Sequence, residues 1–177
     1  MIVADASPLI ALAKIRRIDL LRLVYGDVLI GPQVKFEVVD AGKKISAPGV
    51  ERVESAIENG WLQVARLSSK ERSRTQAIVS KSGLGGGEAE SIALANSRKL
   101  TVILDDREAR SLAEAMGVDF LGTAGILGTA GILFQGFVRK HLRLPEFEDA
   151  IQELSQTIWL APAVVAEVLK KAWEIEQ

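Results

Sequence analysis

Short aliphatic and β-branched runs alternate along the chain with stretches in which apolar residues recur every three or four positions. The runs predict strands over residues 2–4, 28–30, 101–104 and 118–121, with 61–65 as an edge strand. The periodic stretches predict a helix capped by Ser7 with Pro8 at its first position, then helices over 19–24, from Pro32 to about residue 40, and over 50–59, 69–80 and 88–98. Two more amphipathic helices follow Pro145, split near Pro162. Strands separated by helices argue for an α/β fold of βα units around a mainly parallel sheet.

Residues 120–138 carry no charge and are nearly long enough to span a bilayer. Glycines at 122, 125, 128, 131 and 136, with Thr123, Thr129 and Gln135, dilute the hydrophobicity, so a buried helix is expected. Within this segment Gly122-Thr-Ala-Gly-Ile-Leu127 recurs at once as residues 128–133. Positions 126, 130, 133, 134 and 137 share one helical face, which predicts a single helix through both copies. The run Gly83-Leu84-Gly85-Gly86-Gly87 lacks the Lys-Ser/Thr ending of a P-loop, and Glu88 stands where phosphate would sit. Its glycines read instead as a place where backbone passes close to a crevice.

Composition narrows the chemistry. A chain of 177 residues, 48% hydrophobic, fits one domain with a full core. With 22 basic and 23 acidic side chains the net charge is −1, so a polyanion would need a local patch or a metal to hold it. The absence of cysteine excludes disulfides and zinc-thiolate sites and suits a reducing cytoplasm. The start does not read as a secretory signal, because Asp5 and Pro8 interrupt it and Lys14, Arg16 and Arg17 follow it. His141, the only histidine, sits in a basic run and reads as solvated, which leaves no Ser-His or Cys-His machinery.

Acids gather where a parallel sheet would collect them. Asp5 ends the first strand and Asp105-Asp106 end the strand over 101–104, while Glu37 and Glu88 lie on helices. Carboxyl ends of neighbouring strands open on one crevice, and converging carboxylates imply a hard divalent cation, Mg²⁺ or Mn²⁺, offered to a phosphate-bearing substrate. On a helical wheel Glu88 shares the stripe of Ile92 and Ala95, so Glu88 is expected inward as a ligand and Glu90 outward as a solvated partner of the helix dipole. Of the two aspartates, Asp105 with Glu108 fits a capping box, which leaves Asp106 for the crevice. Ser7 is a cap first and a donor to a carboxylate or phosphate second. Arg107 and Arg110, one turn apart, are candidates for holding flanking phosphates, and Lys14, Arg16, Arg17 and Arg22 form a second candidate patch.

Taken together, Asp5-Ala-Ser7, Pro32 with Glu37, Gly86-Gly87-Glu88-Ala-Glu90-Ser-Ile-Ala-Leu-Ala95, Leu104-Asp105-Asp106-Arg107 and Gly122-Thr123 resemble the PIN domain, most nearly its VapC-like prokaryotic branch. The order and spacing cover most of residues 1–140, the expected PIN-like domain. Residues 141–177 resemble the helical tail of a PIN subgroup described as predicted nucleic-acid-binding proteins, and are expected to pack on the same domain. The resemblance implies a three-layer α/β/α sandwich and a Mg²⁺- or Mn²⁺-dependent ribonuclease that cuts single-stranded RNA. It implies an acidic quartet of Asp5, Glu37, Glu88 and Asp106, with Thr123 as the small polar residue beside them, and its spacing suits Asp106 better than Asp105, which stays a further candidate metal ligand as the neighbouring strand-end acid. A toxin neutralised by a small antitoxin, and a homodimer, are implied as well. The chain departs from the family pattern where Glu88 replaces the commoner aspartate, where Leu104 replaces threonine or serine, and in the doubled hexapeptide, which leaves the register of the fifth motif open.

Three other readings stand beside this one. A binding module of the same fold would lack metal affinity. A haloacid-type phosphatase needs an aspartate where Ser7 stands, and a receiver domain needs an aspartate ending its middle strand and a later lysine, neither of which is evident.

Overall fold

Three consecutive residues set the layering: Ile2, Val3 and Ala4 are all buried, and successive side chains of a strand point to opposite faces. The computed structural model describes residues 1–123, 126–158 and 160–176, with backbone alone at 122–123 and 126–127. Strand β1 (Ile2–Ala4) lies between β2 (Val28–Ile30) and β4 (Val102–Ile103), with β3 (Leu62–Val64) at the edge, in the order β3-β2-β1-β4. All pairings in this four-stranded sheet are parallel, in the register Ile2↔Val28, Val3↔Val102 and Val28↔Leu62. Ile2, Ala4, Val28, Ile30 and Ile103 enter one apolar cluster, whereas Val3, Leu29, Val102 and Leu104 enter another on the far face.

Helices cover both faces, which makes a three-layer α/β/α arrangement. The first cluster takes in α1 (Ala6–Lys14), α2 (Asp19–Tyr25), α5 (Val50–Glu58) and α9 (Gly128–Val138), then α10 (Leu144–Thr157) and α11 (Pro162–Glu176). The second takes in α6 (Ser69–Ser82), α7 (Gly86–Arg98) and α8 (Arg107–Ala115). Helix α3 (Pro32–Lys35) runs on through a π-helical turn (Phe36–Ala41) into α4 (Gly42–Lys44). That helix therefore outruns the predicted end near residue 40. The wide turn buries both Val38 and Val39 while Glu37 stays half-buried.

Four sequence expectations change. Helix α1 is capped at Asp5 rather than Ser7, because the strand passes into the helix with no intervening loop. Pro8 is tolerated at the third helical position, since the first four N–H groups of a helix have no partner within it. The strand expected over 118–121 contracts to one parallel bridge, Val102↔Phe120. The single helix through both hexapeptide copies does not form: α9 begins at Gly128, and residues 122–123 (β5) pair antiparallel with 126–127 (β6). Among the described residues no helix is long and apolar enough to cross a membrane.

One ion pair ties α6 to α7. Arg98 donates from Nε to Glu71 Oε1 at 2.8 Å, and Glu71, 4% exposed, also closes the capping box of its own helix with Ser68. The Arg98 guanidinium, helped by Ser68, holds the Glu71 carboxyl down at about 2. Removing the exposed Arg98 guanidinium leaves the buried Glu71 carboxylate without that partner. Arg98→Ala should cost about 2–3 kcal/mol at pH 7, roughly 5–10 °C in melting temperature for a chain of this size. A depressed carboxyl pKa stabilises the fold above the ordinary value and loses that contribution as pH falls from about 4.5 towards about 2. The wild-type advantage in thermal melts should therefore shrink between pH 5 and pH 3, and an advantage independent of pH would refute the pairing.

Candidate metal centre

The crevice forms where β1, β4 and the starts of α3 and α7 meet at the carboxyl edge of the sheet. Asp5 sits at its floor, 4% exposed, held by its N–H to the Ile103 carbonyl (3.3 Å) and by the Ser91 hydroxyl, which donates to Oδ1 at 3.4 Å. Burial pushes the Asp5 carboxyl up to about 7 against the opposing Ala6 N–H, and the charges of Glu88, Glu37 and Asp105 push it further the same way. Glu88 lies half-buried in the first turn of α7 and accepts the Gly85 N–H at 3.0 Å. Its carboxyl is also raised, first by burial and then by Asp106, Glu37 and Glu108. Glu37 receives the Gln33 side-chain amide at 3.0 Å.

These neighbours join Asp5, Glu37, Glu88 and Asp105 into one electrostatic group, with Asp106 reaching it through Glu88. The glycine run makes the closeness possible. A Cβ on Gly87 would lie 2.8 Å from Glu37 Oε2, so only a bare backbone lets the Glu37 carboxylate rest on the first turn of α7.

The two aspartates divide their work differently from expectation. Asp106, exposed, is the N-cap of α8 and accepts the Ala109 N–H at 2.8 Å. Asp105 caps α9 instead: its Oδ1 accepts the Thr129 N–H at 2.7 Å and its Oδ2 the Thr129 hydroxyl at 2.6 Å. Gly128, at φ +60°, brings that helix start so near that a Cβ would fall 1.9 Å from Asp105 Oδ1. The second hexapeptide copy thus provides the threonine that meets the acids, and the Thr123 side chain lies outside the described residues. Thr129→Val should weaken the α9 cap by about 1 kcal/mol and release Asp105. The same change at Thr123 is the control: equal losses of melting temperature at both positions would overturn this register.

Glu90 does not take the solvent face that a helical wheel assigns it. Helix α7 is buried all round from Ala89 to Ala95, so it has no solvent face for Glu90 to occupy. Glu90 is 5% exposed and accepts the Gln33 N–H at 2.7 Å. Burial raises its carboxyl pKa against the N–H groups of Gln33 and Val34. Ser7 is exposed in the first turn of α1, and Arg107 is exposed at the start of α8. Arg110, half-buried, spends one guanidinium nitrogen on the carbonyls of Leu104 (3.2 Å) and Asp105 (2.6 Å), so it braces the strand end. In the second basic cluster Lys14, Arg16 and Arg22 are exposed and Arg17 is half-buried.

Sequence reasoning missed Ser91, Thr129, Gln33 and the inward course of Glu90. Thr129 had a signal, being the identical twin of Thr123, and the others had none that spacing could supply. Among the described residues no three acidic or histidine side chains stand close enough to chelate an ion as placed. Three of the five acids are turned to helix N–H groups. The donor set nonetheless fits a hard cation. It is all oxygen, and Asp5 is a buried carboxylate whose nearest charges are also negative. The sequence model of a family described as a PIN domain matches residues 1–174. No curated protein and no solved structure matches the chain.

Proposed function

The chain belongs to the PIN domain family, and on that premise we propose that it is a metal-dependent ribonuclease that hydrolyses phosphodiester bonds of single-stranded RNA. The observation that carries this reading is the buried Asp5 carboxylate at the centre of a group of like charges on the carboxyl edge of the sheet. PIN domains are generally nucleases, and a net charge of −1 leaves the crevice without help from global attraction to RNA.

Asp5, Glu37, Glu88 and Asp106 would hold Mg²⁺ or Mn²⁺, with Asp105 beside Asp5. When bound, such an ion supplies a water of lowered pKa and a positive charge opposite the scissile phosphate. The chain does the rest. Ser91 and the Ile103 carbonyl fix Asp5 at the floor, so one ligand is placed before anything binds. Asp105 is held in place by the Thr129 N–H and hydroxyl. Glu88, half-buried in the first turn of α7 with one oxygen on the Gly85 N–H, would supply its carboxylate to the ion as one of those ligands. Attack at phosphorus with cleavage of the bond to the 3′ oxygen leaves 5′-phosphate and 3′-hydroxyl ends. Arg107, exposed at the rim, can meet a neighbouring phosphate.

The likeness of the motifs to the VapC-like branch supports the finer reading of a toxin restrained by a small antitoxin and acting as a homodimer. The test is incubation of the purified protein with mixed-sequence single-stranded RNA and Mn²⁺, beside calorimetric titration of Mn²⁺ alone. Cleavage with Mn²⁺ binding is expected. Binding of RNA with no affinity for Mn²⁺ or Mg²⁺ would replace the enzyme by a non-catalytic module of the same fold.

A further inference from the structure

Glu37 stands on a helix whose start is capped from an unusual distance. A helix N-terminus is ordinarily satisfied by the residue just before it, commonly serine, threonine or aspartate. Here that residue is Gly31, and the Gln33 N–H is taken by Glu90, 57 positions away on α7. The approach is built for this contact, since a Cβ on Gly31 would lie 1.9 Å from Glu90 Oε1. A local cap would stabilise the same helix without fixing its distance from α7. A cap borrowed from α7 fixes both.

We propose that Glu90 is a positioning residue for Glu37, locking the start of α3 against α7 so that Gln33 can present Glu37 to the crevice. The inference rests on the metal-dependent reading given above. Gln33 is the link: its backbone N–H goes to Glu90 and its side-chain amide donates to Glu37 Oε1 at 3.0 Å. The first turn of α7 closes the other side, where a Cβ on Gly86 would come within 3.3 Å of Gln33 Cγ and one on Gly87 within 2.8 Å of Glu37 Oε2. Glu37 is therefore held between an amide donor and a bare backbone. Both depend on the spacing of the two helices that Glu90 sets.

The test is a double-mutant cycle on Mn²⁺ affinity, measured by calorimetry with melting temperature recorded for every variant. Glu90→Gln keeps size and one acceptor oxygen but turns an N–H₂ towards backbone donors. It should weaken Mn²⁺ binding about tenfold, as loss of an outer support of a ligand does. Gln33→Met removes only the amide donor and should weaken binding about two- to tenfold with the melting temperature unchanged. In a Glu37→Gln background each change should cost less than twofold, because the group they position no longer ligates. Equal losses in both backgrounds would make Glu90 a plain structural cap and overturn the proposal, as would unaltered affinity in Glu90→Gln. Absence of Mn²⁺ binding by the wild type would overturn the metal-dependent reading and this inference together, a pattern distinct from either of those.

Discussion

Asp5→Asn should abolish metal-dependent RNA cleavage, by about three orders of magnitude or more, while making the metal-free protein more stable at pH 8. The first effect follows from the several kcal/mol that a correctly held ion contributes to a phosphoryl transition state, at about tenfold per 1.4 kcal/mol. The second follows from the pKa. The folded state raises the Asp5 carboxyl from 3.8 to about 7, so between those values it retains a proton that the unfolded chain has released. Stability therefore falls as pH rises through that window, and above it the full cost of the buried charge is present. Asparagine has no charge to bury. At pH 8 the variant should gain roughly 1–3 kcal/mol over wild type, and at pH 4 the gain should vanish. Adding Mn²⁺ should raise the wild-type melting temperature and leave that of the variant unmoved, by mass action on a site only one of them has. A variant that still cuts RNA would remove Asp5 from the ligand set.

Phe147→Ala should cost about 3–5 kcal/mol, or roughly 10–15 °C, the largest loss of stability expected from one side chain here. Phe147 is fully buried on α10, stacked on Phe137 at 5.2 Å and 28° and meeting the edge of Phe134 at 6.2 Å and 63°. Both partners lie on α9, whose first turn is the one that Asp105 caps. The same apolar cluster reaches Ile2, Ala4 and Leu12, so melting of the carboxyl-terminal helices should coincide with melting of the sheet. One calorimetric transition shifted as a whole is the expected result. A small separate transition that moves alone would detach α10 and α11 from the core that supports the crevice.

The central sheet was legible because β1 and β2 are buried on both faces and so read as unbroken apolar runs. The positions of Asp5 and of the aspartate pair followed from where those runs stop. Orientation was harder to read. Glu88 and Glu90 differ by two positions on a helix enclosed by neighbours, and a wheel assigns faces only when one of them meets water. The roles of Asp105 and Asp106 depended on which helix start lay nearest each carboxylate. For Asp105 that start is 24 positions further along, beyond any local capping pattern. Ser91 touches Asp5 across 86 positions, a contact that only the folded chain creates.

Two identical hexapeptides compete for one anchor. Were Gly122 and Thr123 to dock on Asp105 in place of Gly128 and Thr129, the first six residues of the helix would be the same, letter for letter. The difference comes afterwards: Gly128 and Gly131 would then stand where Phe134 and Phe137 now meet Phe147. The aromatic trio thus proofreads a start site it does not touch. Weakening it should narrow the gap between the right frame and the frame slipped by one repeat.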